Sequence, residues 1–314
     1  MLDRAKTFLP AFLILSYWAL LQGIGKIGKD HLVLGGAVLA LFYGGKLAKS
    51  LRFYLPLILT GITYDGLRYF GHGLRARIRV SEPYDFDKFF FGITGSDGVR
   101  LTPNEWWQNH THWLLDLVTG FYYLTFVGLF LGVATWFNFR LSRTGTSKWS
   151  ASEMAIQAPR MMWAFLVVNL LGYSTYHWYP AAPPWYVSTY GLGPANSAAL
   201  PSAAGALRFD ALLGVEVFTN MYSKSADVFG AIPSLHVAYP MVALLFSWRF
   251  GALRIFSTSF WVIMAFSAVY LNHHYLLDVI WGSSYAVLAY WIVNRWNGPF
   301  SGEKQTLSAA ESSK

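Results

Sequence analysis

With 314 residues, of which 54% are hydrophobic and only 13% charged, and with 14 Trp, 19 Tyr and 24 Phe, the chain is too apolar for an ordinary soluble domain and is predicted to be a membrane protein. Its formal net charge is +8, but the cations are spread over many loops, as positive-inside sorting and anionic headgroups require, so nucleic acid is excluded as a partner. The absence of cysteine excludes disulfides, thiolate metal sites and a cysteine nucleophile.

Apolar stretches long enough to cross a bilayer, roughly 20 residues each, recur along the chain. They lie at 7–24, 31–48, 51–71, 113–137, 160–178, 233–250, 255–272 and 275–293. The second stretch is short and Gly-rich, and the first lacks a small-residue cleavage site after its apolar core, which argues against a signal peptide. We therefore predict an all-α, polytopic membrane protein with about eight transmembrane helices.

The distribution of Lys and Arg gives an orientation. These residues accumulate in the segments that share a side with the N-terminus, which indicates that this side is cytoplasmic. In that orientation all eight histidines, the start of the stretch at 233–250 and the junction before residue 275 lie on the outer face. A site at these positions is therefore expected on an extracytoplasmic face, either periplasmic or lumenal.

The predicted organisation is one membrane domain with flanking segments. Residues 1–50 hold two N-terminal transmembrane helices, 51–296 form the main membrane domain, and 297–314 are a polar, Ser-rich tail expected to be disordered in the cytoplasm. An insertion at 72–112 mixes aromatic and charged residues, as a segment at the headgroup level does. A second, the outer loop 179–230, contains YPAAPPWY, a stiff cover that indicates a site beneath it.

Two polar motifs open apolar helices on this outer face. In HYLLD, His274 and Asp278 are four residues apart, so their side chains lie on one face of a helix and can touch. A carboxylate bonded to one ring nitrogen fixes the tautomer and makes the other nitrogen more basic, so His274 is a candidate nucleophile. In GAIPSLH, Ser234 and His236 follow Pro233 in the first turn of a helix, where free N–H groups attract an anion. Together the motifs predict a site for a phosphoryl group.

Other interpretations stay open at this point. Histidines at a membrane interface are often only hydrogen-bonded there, and histidines on facing helices also ligate haem. A non-enzymatic transporter or haem-binding protein would need polar residues near the bilayer midplane, whereas the charged residues here cluster at the outer interface. Near outer helix ends, Asp65, Arg68 and Asp116 either pair with one another or form a pocket for a sugar headgroup.

The sequences PSLH at 233–236 and HHYLLD at 273–278 resemble the second and third signatures of the type-2 phosphatidic acid phosphatase superfamily. Together with APPWY at 182–186, they are most similar to its branch of inositol phosphorylceramide and sphingomyelin synthases. The resemblance covers the region 175–285. It implies a six-helix catalytic core, to which the two N-terminal helices would be an addition.

Carried over residue by residue, the resemblance implies catalytic roles for His274, Asp278 and His236. The second-motif serine falls on Ser234, which is expected to bind substrate, and His273 is expected to be a support residue in the same site.

Two further substrate-binding candidates do not depend on the resemblance. Lys224 lies in a turn, and Tyr270 lies one helical turn before His274. Each either contacts phosphate or is an ordinary solvated or interfacial residue.

Two departures from the phosphatases of this family bear on the reaction. Those enzymes place Ser-Arg before the third-motif His, but here the positions hold Ser267 and Ala268, and their first motif, Lys and Arg-Pro, does not occur. Because a dianionic monoester needs more cationic partners than a monoanionic diester, a diester donor is expected.

The expected function is a membrane phosphotransferase that moves inositol phosphate from phosphatidylinositol to a ceramide-like lipid alcohol. The reaction is expected to pass through a phosphohistidine and to need neither a metal nor another cofactor. The alternative is a lipid phosphate or pyrophosphate phosphatase, which would use the same histidines with water as the acceptor.

Overall fold

A computed structural model describes residues 2–23, 27–45, 48, 51–70, 77–223 and 228–295. Its contacts divide the chain into two compact units, Met1–Gly66 and Leu67–Lys314, which are described separately. The predicted tail, 297–314, and the candidate Lys224 lie outside the described residues.

The first unit is helical. It contains α1 (Leu2–Gly23), α2 (Lys29–Tyr43), a 3-10 turn (Arg52–Tyr54) and the greater part of α3 (Leu55–Phe70). Asp65 is buried in it beside His31, with Nε2 of the histidine 3.0 Å from Oδ1, and accepts a hydrogen bond from the Tyr17 hydroxyl. Asp65 is thus satisfied by partners within the first unit.

The second unit holds both predicted motifs. Its elements are α4 (Ser81–Phe91), β1 (Ile93–Thr94), β2 (Arg100–Leu101), α5 (Pro103–Gln108), α6 (Trp113–Trp136), α7 (Ala151–Gln157), α8 (Arg160–Trp178), α9 (Pro184–Tyr190), α10 (Leu207–Leu213), α11 (Val217–Tyr222), α12 (Leu235–Phe250), α13 (Arg254–Tyr270) and α14 (Leu276–Arg295). A π-helical turn (Phe137–Leu141) and a short helical turn (Ser142–Thr144) extend α6, and a 3-10 turn (Ala204–Ala206) precedes α10. The strands β1 and β2 pair antiparallel, with Ile93 opposite Leu101.

Helix α12 is the centre of this unit. It contacts α6, α8, α13 and α14, and because it is covered on several sides it is apolar around most of its circumference. Gly282 of α14 faces the backbone carbonyl of Ser234, where an added Cβ would overlap the carbonyl oxygen. This glycine therefore lets α14 approach the start of α12 closely, and that approach brings the two predicted motifs together.

Each of the eight predicted apolar stretches coincides with a helix, and the chain is mostly helical as predicted. Within the described residues, three helices are long and apolar enough to cross a membrane: Trp113–Thr144, Ala151–Trp178 and Leu276–Arg295. The helices α12 and α13 have 16 and 17 residues and are shorter than a typical span of about 20 residues. The total of eight spans, as a six-helix core plus two, stays a prediction.

Candidate active site

His274 and Asp278 meet at the start of α14, as their spacing predicts. His274 Nδ1 lies 3.0 Å from the carbonyl oxygen of Ala231 and 3.3 Å from Asp278 Oδ2. Because both neighbours are hydrogen-bond acceptors, Nδ1 carries the hydrogen, and Nε2 of the neutral ring carries the lone pair. Asp278 also accepts the N–H of Tyr275 at 2.9 Å, so its carboxylate fixes both the ring and the backbone beside it.

His236 faces this lone pair. Its Nδ1 lies 3.2 Å from His274 Nε2, and because that nitrogen carries the lone pair, His236 donates and His274 accepts. Tyr123 of α6 stacks on the other side of His236, with ring centroids 4.3 Å apart. Both predicted catalytic histidines are therefore in direct contact, although they are 38 positions apart in the chain.

Ser234 is the N-cap of α12, and the helix itself begins at Leu235, one residue later than the predicted first turn. The Ser234 N–H donates to the backbone carbonyl of Asp278 at 3.0 Å. Its hydroxyl is buried and, among the described residues, has no hydrogen-bond partner, which also holds for Asp278 Oδ1. The Ser234 side chain does not line the cavity beside the two histidines.

His273 lies flat between two tyrosines. Its ring stacks on Tyr222 at 4.8 Å and on Tyr123 at 5.1 Å between centroids, and its Nε2 donates to the carbonyl of Ala203 at 3.1 Å. Burial, and then the nearby His274, lower the pKa of His273 to about 3, although the hydrogen bond to the Ala203 carbonyl raises it. His273 is therefore neutral at ordinary pH, and its Nδ1 is left as a hydrogen-bond acceptor.

A cavity of about 130 Å³ opens beside the three histidines. Its wall is aromatic and mildly polar, and none of the described residues that form it has a cationic side chain. The lining residues are Tyr123, Pro183, Trp185, Pro201, Ser202, Tyr222, Val228, Gly230, Ala231, His236, His273 and His274. Pro183 and Trp185 belong to the stiff segment that the sequence predicts as a cover. The cavity thus lies beneath that cover and against the two motifs.

Tyr270 points elsewhere. Its hydroxyl lies 2.9 Å from Asp116 Oδ1, and Arg208 lies over its ring and forms an ion pair with the same carboxylate at 2.6 Å. Tyr270 does not line the cavity, and Asp116 is occupied by Arg208 and Tyr270. This cluster ties α6, α10 and the end of α13 together.

Sequence reasoning missed the aromatic and polar partners of the histidines. Tyr123 lies within an apolar helix and Tyr222 in the outer loop, and nothing in their spacing places them on a histidine ring. Asp87 and Asn104, both in the insertion at 72–112, are buried against the segment that carries His274. Nothing in the sequence indicates that these two side chains are buried, and only the tertiary contacts of the folded chain show it.

Comparison with known proteins identifies the family. A family model described as the PAP2 superfamily matches residues 99–292. The chain is 34% identical over 299 residues to the phosphoinositol dihydroceramide synthase of Bacteroides thetaiotaomicron, a match that covers 91% of this chain and 90% of that protein. No solved structure matches the chain significantly.

Fungal proteins match a shorter region. The chain is 40% identical over 121 residues to the inositol phosphorylceramide synthase of Candida albicans, which covers 38% of this chain and 26% of that protein. It is 40% identical over 126 residues to the catalytic subunit of the enzyme of Saccharomyces cerevisiae, which covers 39% of this chain and 31% of that protein. These matches confirm the resemblance predicted from PSLH and HHYLLD, and with it the enzyme class, a membrane transferase. The chain belongs to the PAP2 superfamily, in the branch of the inositol phosphorylceramide synthases.

Proposed function

We propose that this protein transfers the inositol phosphate headgroup of phosphatidylinositol to the primary hydroxyl of a ceramide-like lipid, through a phosphohistidine on His274. The observation that carries the proposal is the Asp278–His274–His236 arrangement, in which one histidine is fixed by a carboxylate and the second contacts its free nitrogen. The relatives named above are synthases of inositol-phosphate-bearing sphingolipids, which supports this choice of donor and acceptor.

In the first step the His274 Nε2 lone pair attacks the phosphorus of the donor diester. The bond from phosphorus to the diacylglycerol oxygen breaks, and protonated His236 gives its proton to that oxygen. The products are diacylglycerol and an inositol phosphate bonded to His274. Asp278 and the Ala231 carbonyl, both acceptors of the Nδ1 hydrogen, stabilise the positive charge that the ring gains.

Donor binding must separate the two histidines. In a near-attack arrangement, phosphorus lies about 3–3.5 Å from the attacking nitrogen, and the leaving oxygen lies beyond it. The observed 3.2 Å between His236 Nδ1 and His274 Nε2 leaves no room for that sequence of atoms. The closed pair is therefore the resting state, and the phosphate displaces the His236 ring into the adjoining cavity.

In the second step neutral His236 accepts the proton of the lipid hydroxyl. The hydroxyl oxygen attacks phosphorus, the bond to His274 breaks, and the inositol phosphate passes to the acceptor. Transfer of the phosphoryl group to a lipid alcohol, and not to water, requires that water is excluded from the position of the attacking hydroxyl. The aromatic wall and the cover that carries Trp185 serve that purpose.

The start of α12 is proposed to bind the phosphate of the donor. The first N–H groups of this helix have no partner within it. The buried Ser234 hydroxyl beside them has no partner either in the described part of the chain, and since it does not line the cavity, it would reach the phosphate only once the donor has displaced His236. The start of α14 is not available for phosphate, because carboxylates of Asp87 and Asp278 accept the N–H groups of residues 275 to 277. Lys224, outside the described residues, is a proposed cationic partner.

His273 is proposed to bind a hydroxyl of the inositol. A neutral imidazole with one nitrogen occupied by Ala203 accepts a hydrogen bond and does not attract an anion. The flat rings of Tyr123 and Tyr222 hold it in one orientation. A polyol headgroup, which offers many donors, matches this environment better than a second phosphate does.

The active site is proposed to lie on the extracytoplasmic face. All the motif residues lie at helix ends opposite to those that carry Arg140, Arg160, Arg249 and Arg295. Lys and Arg concentrate on the cytoplasmic side of membrane proteins, which supports this orientation.

A turnover assay tests the reaction. Detergent-purified protein is mixed with phosphatidylinositol and a fluorescent ceramide in the presence of EDTA, in parallel with a His274→Ala variant. Fluorescent inositol phosphorylceramide made by the wild type alone is the expected result. Release of inositol phosphate or inorganic phosphate without a ceramide product would assign water as the acceptor and replace the proposal by the phosphatase alternative.

A further inference from the structure

We propose that the membrane-surface insertion 81–108 is a clamp on the catalytic loop 269–277, and that Asp87 is its central positioning residue. The proposal builds on the proposed function, because it concerns how the same His274 is held. Asp87 lies outside the region 99–292 that matches the superfamily model, whereas Asn104 and Gln108 of the same clamp lie inside it.

Asp87 holds the start of α14. Its side chain is fully buried, Oδ2 accepts the N–H of Leu276 at 3.2 Å and Oδ1 accepts the N–H of Leu277 at 3.0 Å. A carboxylate at the first turn of a helix satisfies otherwise unpaired donors and interacts favourably with the helix dipole. Asp278 is the next residue after Leu277. Asp87 therefore fixes the helical turn that carries the Asp278 carboxylate.

The second contact of the clamp is to His274 itself. Asn104 of α5 is buried, and its Nδ2 donates to the carbonyl of His274 at 3.0 Å and to that of Val269 at 2.9 Å. Gln108, one turn later, donates to the carbonyl of Tyr270 at 3.0 Å. Side chains from two helices of one insertion therefore bind both ends of the catalytic loop and the backbone of its nucleophile.

The outer side of the clamp is apolar. Phe86, Phe89 and Phe90 of α4 are exposed, on the helix whose buried side carries Asp87. Such a face is suited to the headgroup region of a bilayer. The helix thus connects the lipid surface, from which both substrates arrive, to the backbone of the catalytic loop.

The clamp depends on an ionised Asp87. Burial, and then the charge of Asp278, raise the pKa of Asp87 to about 7, although the two N–H donors lower it. Of the titratable groups near it, Tyr84, Lys88, Glu82 and Asp85 lie on α4 itself, Glu105 lies on α5, and Tyr275 precedes α14. Glu82 pairs with Arg79, and Asp85 is exposed. Lys88 donates to the Tyr84 hydroxyl, which donates to Glu105, so this cation is engaged away from Asp87.

Protonation of Asp87 weakens its hold on the start of α14. Above pH 7 the carboxylate accepts both N–H groups, whereas below pH 7 the protonated carboxyl turns a hydrogen toward one of them and loses that bond. The clamp is therefore complete at higher pH and loosened at lower pH.

Two variants of α4 test the clamp by activity. Asp87→Asn removes the titrating charge, and Asp85→Asn, two residues away on the exposed side, is the matched control. For Asp87→Asn we expect kcat at pH 8 to fall about tenfold, with KM for both lipids within about twofold, because a misplaced nucleophile slows chemistry without changing binding. The variant should also lose the part of the wild-type pH profile that rises near pH 7. Wild-type kcat and an unchanged profile in Asp87→Asn would overturn the proposal.

A measurement on the wild type keeps the test independent of variant folding and of the substrate assignment. Hydrogen–deuterium exchange of the peptide that contains residues 275–280 is followed from pH 8 to pH 6 and corrected for intrinsic exchange rates. The clamp predicts at least threefold faster corrected exchange at pH 6. Exchange that is unchanged over this range would refute the clamp, even if the enzyme turned out to use a different lipid pair.

Discussion

His236 Nδ1 lies 3.2 Å from His274 Nε2, so the proposed acid and the proposed nucleophile form a hydrogen bond with each other. A histidine pair held in this way keeps the nucleophilic lone pair occupied until a phosphate separates the rings. The two histidines also have different tasks, since only His274 is bonded to a carboxylate.

Replacement of His236 should impair the step that needs a proton. His236→Ala is expected to lower turnover of the natural donor about 10²–10⁴-fold, the range of general acid catalysis. A donor analogue with a nitrophenolate leaving group needs no proton at that oxygen, so release of nitrophenol in the first turnover should be largely retained. Equal losses with both donors would show that His236 does not protonate the leaving group.

Asp278→Asn should separate the charge of Asp278 from its effect on the tautomer. The Ala231 carbonyl also accepts the Nδ1 hydrogen, so the tautomer should persist when the carboxylate is lost. We therefore expect kcat to fall about 100-fold, less than the roughly 10⁴-fold seen where a carboxylate alone fixes the tautomer. Turnover within about twofold of the wild type would contradict a dyad role for Asp278.

His273→Phe should keep the stack with Tyr123 and Tyr222 and remove the acceptor nitrogen. The expected result is a KM for phosphatidylinositol raised about tenfold, the cost of one lost hydrogen bond, with kcat changed less. The pH profile of kcat should not move, because a pKa of about 3 keeps the wild-type His273 neutral throughout the active range. A changed KM for the acceptor with an unchanged KM for the donor would show that His273 binds the ceramide and not the inositol.

The same variant should be less sensitive to acid. The pKa of His273 is lower in the folded protein, about 3, than its ordinary value of 6.5, so the unfolded chain binds the proton first. Its contribution to stability is fully present above pH 6.5 and is lost as the pH falls toward 3. The melting temperature of His273→Phe should therefore fall less between pH 7 and pH 4 than that of the wild type, and an equal fall would contradict the buried neutral state.

Gly282→Ala tests the close approach of α14 to α12. A Cβ at this position would overlap the Ser234 carbonyl, which is backbone and cannot move aside easily. Overpacking of this kind costs about 1–3 kcal/mol, and displacement of α14 carries Asp278 with it. We expect a lower melting temperature and reduced turnover, whereas Gly132→Ala in α6, with no atom within 4 Å of the added Cβ, should have neither effect.

The sequence predicted the parts of the site that depend on local geometry. A separation of four residues at a helix start places His274 beside Asp278, and a shared outer face places His236 near both. Partners that come from distant segments were not predictable, since the Asp87 contacts join residues 189 and 190 positions apart. For Tyr270 the sequence left a phosphate contact and an interfacial position open, and only the folded chain shows that Arg208 and Asp116 surround it.

The covalent intermediate itself can be detected in a rapid-quench experiment with phosphatidylinositol labelled in the inositol and no acceptor lipid. A phosphohistidine on His274 predicts a burst of diacylglycerol and an equal amount of label on the peptide that contains residues 271–282. This label should be stable to base, lost in acid, and absent in His274→Ala. Turnover to inositol phosphorylceramide without any labelled peptide at any time would contradict the phosphohistidine and indicate direct transfer from donor to acceptor.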